Sequence, residues 1–463
     1  MIVNGIIKAR LRKLLSFWIF AVSPGLAIDD HRVIVKIEKE VIIAAAGVFN
    51  RAMMSMVRSP NGTIFLNAQA KPPILYRSQD QGEFWTPVRV RLNGIPPGQV
   101  TQGLGVNRKG RLFLAHQTSG NQPPNTPRLY GQDLFVSYSD DDGETWTTSA
   151  TEFGKVAPGI PNIKFHEDGN RTFIEQPNGY LMFTTTIVPA KDYAEKYPPE
   201  KPVQPPNYEY GGQVGDLFSD VVFRSTDHGA TWSDPSQVYP DLNPHESSLA
   251  IDPYDPNHLL IITRIQRMGR TGENPEQMML KTGNPRHYWK QVALFESRDG
   301  GRTFSWPKGG FTSWYGHRAT ICWAQNDVVI VVHNAGYGDA RRVIKLSLDG
   351  GKTWVTGSKQ GTALMRLSKK FKLAREIGFC SPTIEISPDH FLTTVYRYDN
   401  EKTSRLLRGM VTGVFWHIER SQHDRCKQSQ RLMTLGRTRN SQSSNIQPTK
   451  KQAPPNGATV PRA

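Results

Sequence analysis

Five copies of one eight-residue turn run through this chain: SQDQGEFW from Ser78, SDDDGETW from Ser139, STDHGATW from Ser225, SRDGGRTF from Ser297 and SLDGGKTW from Ser347. In each, a Ser hydroxyl and an Asp carboxylate stand where they accept backbone N–H bonds across a tight turn. The Gly supplies a positive φ, and the closing aromatic buries the turn against a sheet. One such turn is commonplace. Five with the same internal spacing require a repeated supersecondary unit, so these Asp residues read as staples of a fold rather than as catalytic carboxylates.

A second repeat, interleaved with the first, sets the number of units. An apolar strand, a polar turn and another apolar strand recur six times: SMVRSPNGTIFLNAQ from Ser55, GLGVNRKGRLFLAHQ from Gly103, FIEQPNGYLMFTTT from Phe173, LAIDPYDPNHLLIITR from Leu249, ICWAQNDVVIVVHN from Ile321 and IEISPDHFLTTVYR from Ile384. Two-residue alternation of β-branched residues about Asn-Gly, Lys-Gly or Pro-Asp is hairpin chemistry. The repeated turn follows the first five hairpins and is missing after the sixth. Six hairpins predict an all-β, six-bladed β-propeller, in which four-stranded sheets bury their faces against one another and terminal strands close the array. VIVKIEK from Val33 and GVFWHIE from Gly413 are the candidate closing strands.

Charge and composition divide the chain. Of a formal net charge of +16, residues 1–13 carry four and the segment beyond His417 a net seven, which leaves about 400 residues with a net five. That balance, with no recognition helix or RNA-binding signature, argues against a nucleic-acid partner. Four basic residues precede the short apolar run LLSFWIFAV, and Gly25-Leu26-Ala27 offers small residues for cleavage. Residues 1–27 therefore read as a signal peptide or N-terminal anchor, residues 33–417 as the propeller, and residues 421–463 as a disordered basic tail. The expected location is extracellular or periplasmic, with membrane contact only through an uncleaved N-terminal segment, and the expected state is a monomer. Cys322, Cys380 and Cys426 are odd in number and make no disulfide framework.

Chemistry in such a fold belongs where innermost strands from different blades converge. Arg51, Arg171, Glu246 and Arg318 stand at the starts of hairpins, with Phe379 and Cys380 before the sixth. Gln69, His116, Arg264, His333, Asn334, Tyr396 and Arg397 stand at the ends. The start and end of one hairpin return to the same rim, so Glu246 and Arg264 should be neighbours. Several Arg against one Glu leave uncompensated positive charge, which suits a carboxylate ligand. The same residues also fit a structural salt-bridge network.

The repeated turn is the Asp-box, and over roughly residues 40 to 417 the chain resembles the sialidase-like propellers that carry it. The resemblance implies an Arg from each of three blades around the sugar carboxylate, a Tyr nucleophile activated by a Glu, and an Asp acid. Arg51 matches the first Arg, Glu246 the Glu and Arg264 the second Arg; the third falls at Arg341, with Arg342 and Arg318 as alternatives. Two positions depart from the pattern. Gly378-Phe379-Cys380-Ser381 stands where the Tyr belongs, and NAQAKPPILYRS, from Asn67 to Ser78, has no carboxylate where the Asp belongs. Tyr396, Tyr337 and His333 are further rim candidates, as is the Tyr-rich insertion from Val188 to Asp220. His116, His166, His245, His317 and His333 show no short metal-ligand spacing, so no metal and no cofactor are expected. The resemblance implies a secreted glycoside hydrolase acting on an acidic, sialic or uronic, glycan, with Glu246 catalytic. The alternatives are a non-catalytic glycan- or protein-binding propeller and a polysaccharide lyase.

Overall fold

A strand buried on both faces carries a run of apolar residues rather than an alternation, and the second strand of each hairpin here holds such a run: residues 64–66, 112–115, 181–183, 259–262, 329–332 and 391–392. The computed structural model describes residues 33–70, 74–91, 100–117, 134–148, 164–165, 171–188, 219–238, 244–266, 290–307, 312–334, 342–355, 380–398 and 409–420. Residues 1–27 and 421–463, and most of the 188–220 insertion, lie outside them. The chain falls into two units, Met1–Glu419 and Arg420–Ala463. Among the described residues the regular structure is entirely β.

The strands follow one another as antiparallel meanders. The first comprises the later part of β1 (Val33–Arg58) with β2 (Ile64–Ala70), β3 (Ile74–Ser78) and β4 (Thr86–Arg89); the second comprises β5 (Val100–Val106), β6 (Leu112–Gln117), β7 (Leu134–Ser139) and β8 (Thr147–Thr148). After the short β9 (Lys164–Phe165), the third is β10 (Arg171–Glu175), β11 (Leu181–Val188), β12 (Ser219–Ser225) and β13 (Ser233–Gln237). The fourth is β14 (Pro244–Ile251), β15 (Leu259–Gln266), β16 (Lys290–Ser297) and β17 (Thr312–Tyr315). The fifth is β18 (His317–Trp323), β19 (Val329–Asn334) and β20 (Arg342–Ser347), and the last is β21 (Thr383–Ser387), β22 (His390–Tyr398) and β23 (Gly409–Arg420). Strand β23 is hydrogen-bonded to β1, so the two segments singled out for closure are neighbours. The second and third meanders join through a parallel pairing of β5 with β10.

Alternation along the second strands distributes side chains to two clusters each. Phe65 packs with Leu112 and Trp146 of the second meander, whereas Ile64 and Leu66 pack with Leu392 and Phe415 of the last. The same division recurs: Phe113 and Phe183 join the second and third, Val222 and Phe295 the third and fourth, Leu260 and Val331 the fourth and fifth, and Ile330 and Trp416 the fifth and last. Each fully buried aliphatic or aromatic side chain of this kind stabilises by about 1.5–3 kcal/mol.

The five repeated turns have one hydrogen-bond pattern. At Ser139, the hydroxyl donates to Asp141 at 2.7 Å and accepts from Gly143 N at 2.9 Å, while Asp141 accepts from Thr145 N at 2.9 Å. Ser78, Ser225, Ser297 and Ser347 repeat it. Trp146 Nε1 donates to Gly143 O at 2.9 Å. The residue before the Gly of each turn is also left-handed: Gln81, Asp142, His228, Gly300 and Gly350 have φ of 62, 56, 59, 72 and 70°. That second positive φ explains the Gly-Gly pair in the last two copies.

Candidate functional site

Two adjacent meanders begin with the same irregularity. Between the pairs His245↔Arg264 and Ser248↔Ile262, β14 carries one residue more than β15; between His317↔Asn334 and Thr320↔Val332, β18 likewise exceeds β19. A bulge of this kind re-aims a side chain out of the strand's alternation. Glu246 and Arg318 are the bulge residues, with φ of 60 and 53°. For a residue with a Cβ such a backbone costs about 1–2 kcal/mol, so the surrounding structure has to hold it.

What it holds is a charged triad. Arg264 Nη1 lies 2.9 Å from Glu246 Oε2, and Arg318 Nε lies 3.5 Å from Glu246 Oε1. Glu246 is 1% exposed, and the side chains of Arg264 and Arg318 are 10% and 17% exposed. Glu246 and Arg264 meet because they end the two strands of one hairpin. Arg318 joins them because it occupies in the fifth meander the place that Glu246 occupies in the fourth.

A layer of hydroxyls fixes Glu246 from behind. Its N–H donates to Thr186 Oγ1 at 3.0 Å, and that hydroxyl donates to Asp220 Oδ1 at 2.6 Å. Thr263 donates to the other oxygen of Asp220, and Thr184 and Ser247 share a bond of 2.6 Å. Asp220 is fully buried. Burial pushes its carboxyl up to about 7; hydrogen bonds from Thr186, Thr263 and Ser247 oppose the rise, and the charge of Glu246 adds to it. Asp220, its charged form disfavoured by burial, thus lies one hydroxyl away from the triad. In the sequence Asp220 stands out only as the end of the Tyr-rich insertion. The signal available was a carboxylate placed directly before the apolar run Val221-Val222-Phe223.

The remaining candidates are placed unevenly. Arg51 lies on β1 and Arg342 opens β20, and neither side chain is described; Arg341, Tyr337 and Phe379 lie outside the described residues. Tyr396 is fully buried in the cluster between the last and first meanders. His333 is buried and stacked on Trp314, with centroids 6.1 Å apart. His116 is buried, its Nε2 2.8 Å from Ser137 Oγ. Cys380 is buried and Cys322 partly so, both as free thiols.

No profile of a known protein family and no curated protein sequence matches the chain. Among solved structures, it is similar to a protein of unknown function from Dyadobacter fermentans, at 16% identity over 83% of this chain and 99% of that one, with a TM-score of 0.54. At that identity the likeness is one of fold. The phage phi92 endosialidase aligns over 83% of this chain and 70% of its own at 9% identity, with a TM-score of 0.49. The NanB sialidase of Streptococcus pneumoniae aligns over 82% and 71% at 12% identity, with a TM-score of 0.45.

Proposed function

We propose that the six meanders close into a six-bladed propeller of the sialidase type, and that its central mouth binds and cleaves an acidic glycan, taking the sugar carboxylate at Arg264 and Arg318. The succession of apolar clusters supports the ring: each joins consecutive meanders, and the last joins the sixth to the first. The observation that carries the functional reading is the convergence of two guanidinium groups on one buried carboxylate, with Glu246 and Arg318 at bulge positions held against backbone preference. Guanidinium groups gathered at one buried carboxylate present the planar donors that a ligand carboxylate accepts from. Sialic and uronic acids both present a planar carboxylate that fits a guanidinium fork. Glu246 is the carboxylate available for proton transfer. Because Phe379 stands in the sequence at the position of the family's Tyr, turnover of an ordinary aryl sialoside is expected to be very slow, and a uronic-acid glycan is the better substrate class. The export reading of residues 1–27 fits an extracellular or periplasmic glycan, met by a monomer.

The test pairs calorimetry with turnover. Sialic acid, glucuronic acid and a neutral sugar of similar size are titrated into the wild type, Arg264→Ala and Arg318→Ala. Each Arg variant should weaken the acidic ligands by roughly 10- to 150-fold, the equivalent of a hydrogen bond to a charged group, and leave the neutral sugar unchanged. Equal losses for both remove the anion site. A panel of sialosides and uronic-acid oligosaccharides, with Glu246→Gln as the variant, then decides catalysis; acidic sugars bound but none cleaved means a binding module.

A further inference from the structure

The seam where the last strands meet the first carries a second cluster of chemistry-bearing side chains. Strand β22 pairs with β23, with His390 directly opposite His417, and β23 is the neighbour of β1, which carries Glu38. Glu38 Oε1 lies 2.6 Å from His417 Nδ1 and 2.9 Å from His390 Nδ1. The two rings stack with centroids 5.0 Å apart. One atom from each of the three residues can be chosen so that all lie within 4.8 Å of one another.

We propose that Glu38, His390 and His417 bind one divalent transition-metal ion of the zinc type, which clips the first strand to the last two. The donor set selects the ion. Two imidazole nitrogens and one carboxylate oxygen are ligands for Zn²⁺ and its neighbours, whereas Ca²⁺ and Mg²⁺ take oxygen ligands throughout. Three protein ligands leave a fourth position for water, and the open surface at Glu38 gives the ion its entry.

The surroundings fit this role. A histidine that ligates through Nδ1 carries its remaining proton on Nε2, and an acceptor for that N–H fixes both tautomer and ring orientation. His417 Nε2 has Glu419 Oε1 at 3.4 Å, and Glu419 is itself held by Lys36 Nζ at 2.6 Å. The consequence for the fold follows from sequence separation: Glu38 and His417 are 379 residues apart. An ion that needs both binds only the chain in which β1 is docked, so it stabilises that state by mass action.

The experiment uses the full chain stripped with a chelator. Zn²⁺ titrated by calorimetry should bind at one ion per chain, and the thermal midpoint should rise with free Zn²⁺ and fall back on chelation. Glu38→Gln, His390→Ala and His417→Gln should each abolish that binding event, and Glu419→Gln should weaken it by about 10- to 100-fold as a supporting partner. His228→Ala, an exposed histidine in the third repeated turn, is the control and should leave binding unchanged. Co²⁺ as a probe should give the visible bands of nitrogen and oxygen ligation; intense sulfur charge-transfer would assign the ion to a cysteine and overturn the proposal. No saturable binding at millimolar Zn²⁺ would also overturn it, leaving the trio as a hydrogen-bonded surface cluster. So would binding that survives all three ligand substitutions. Should the histidine variants fail to fold, Glu38→Gln, at the open surface, carries the decision.

Discussion

Replacing Asp220 by Asn should stabilise the protein at neutral pH, and the size of the gain should depend on pH in one direction. The folded carboxyl titrates near 7 against an ordinary value of 3.8. Between those values the folded chain holds a proton that the unfolded chain has released. Asp220's contribution is therefore fully present below pH about 4 and is lost as pH rises through 7. At about 1.4 kcal/mol per pH unit over roughly three units, the loss totals about 4 kcal/mol. An amide at this position keeps the shape, still accepts from Thr186 Oγ1, and has no proton to lose; the Thr263 hydroxyl turns to accept from it. Urea unfolding followed by Trp fluorescence, at pH 4 to 8, gives the difference between variant and wild type. It should grow in favour of Asp220→Asn up to pH about 7 and then level off. Subtraction also removes the opposite trend of Asp80, Asp141, Asp227 and Asp299. In those carboxyls, partial burial raises the pKa but the turn's hydrogen bonds outweigh it, so they sit below the ordinary range and their contribution is lost as pH falls. Glu246→Gln should shift the Asp220 transition to lower pH, because the charge of Glu246 adds to the rise. A difference that stays flat from pH 4 to 8 refutes the buried proton.

Two further outcomes test the packing that positions the site. Gly143 and Gly229 share a φ of +87°, but a Cβ at Gly143 would meet Leu75 Cδ1 at 3.3 Å, and one at Gly229 would meet the Phe113 ring at 2.5 Å. Gly143→Ala should cost about 1 kcal/mol and Gly229→Ala a further 1–3 kcal/mol of overpacking in denaturant midpoints; equal costs would mean that the turn does not bear on the preceding meander. Trp146→Ala should cost about 3–5 kcal/mol as a buried aromatic truncation while leaving the preference among sugars intact, and an unchanged melting temperature would contradict its place in the core.

Much of the fold was legible because its signals are local. The Ser-x-Asp-x-Gly spacing fixes a turn within eight residues, and Asn-Gly between β-branched runs fixes a hairpin within fifteen. Glu246 with Arg264 was legible for the same reason, since both belong to one hairpin. Arg341, the family pattern's third Arg, lies outside the described residues; the place of Arg318 at the head of β18 repeats that of Glu246 at the head of β14. Asp220 was missed because its partners come from three strands, and a buried proton has no signature in spacing. The pair His390 and His417 was missed more completely: 27 residues apart in sequence, they face one another only because β22 and β23 are antiparallel in that register.

The sharing of β1 between the first and last meanders has a consequence for how the chain is made. Synthesis runs from the amino end, so the 26-residue β1 emerges early, while the strand that pairs with its leading half, residues 409–420, is among the last described segments to appear. Throughout elongation that half, with Ile34, Ile37 and Ile42 on its surface, presents an unsatisfied strand edge to whatever other chains are nearby. The meanders between can each form by local pairing as they emerge, but the seam is the longest-range strand pairing among the described residues and should be the slowest of them to form. Expression yield should therefore depend on the seam more than on any interior meander, and a chain cut and rejoined so that β1 follows β23 directly would remove that delay.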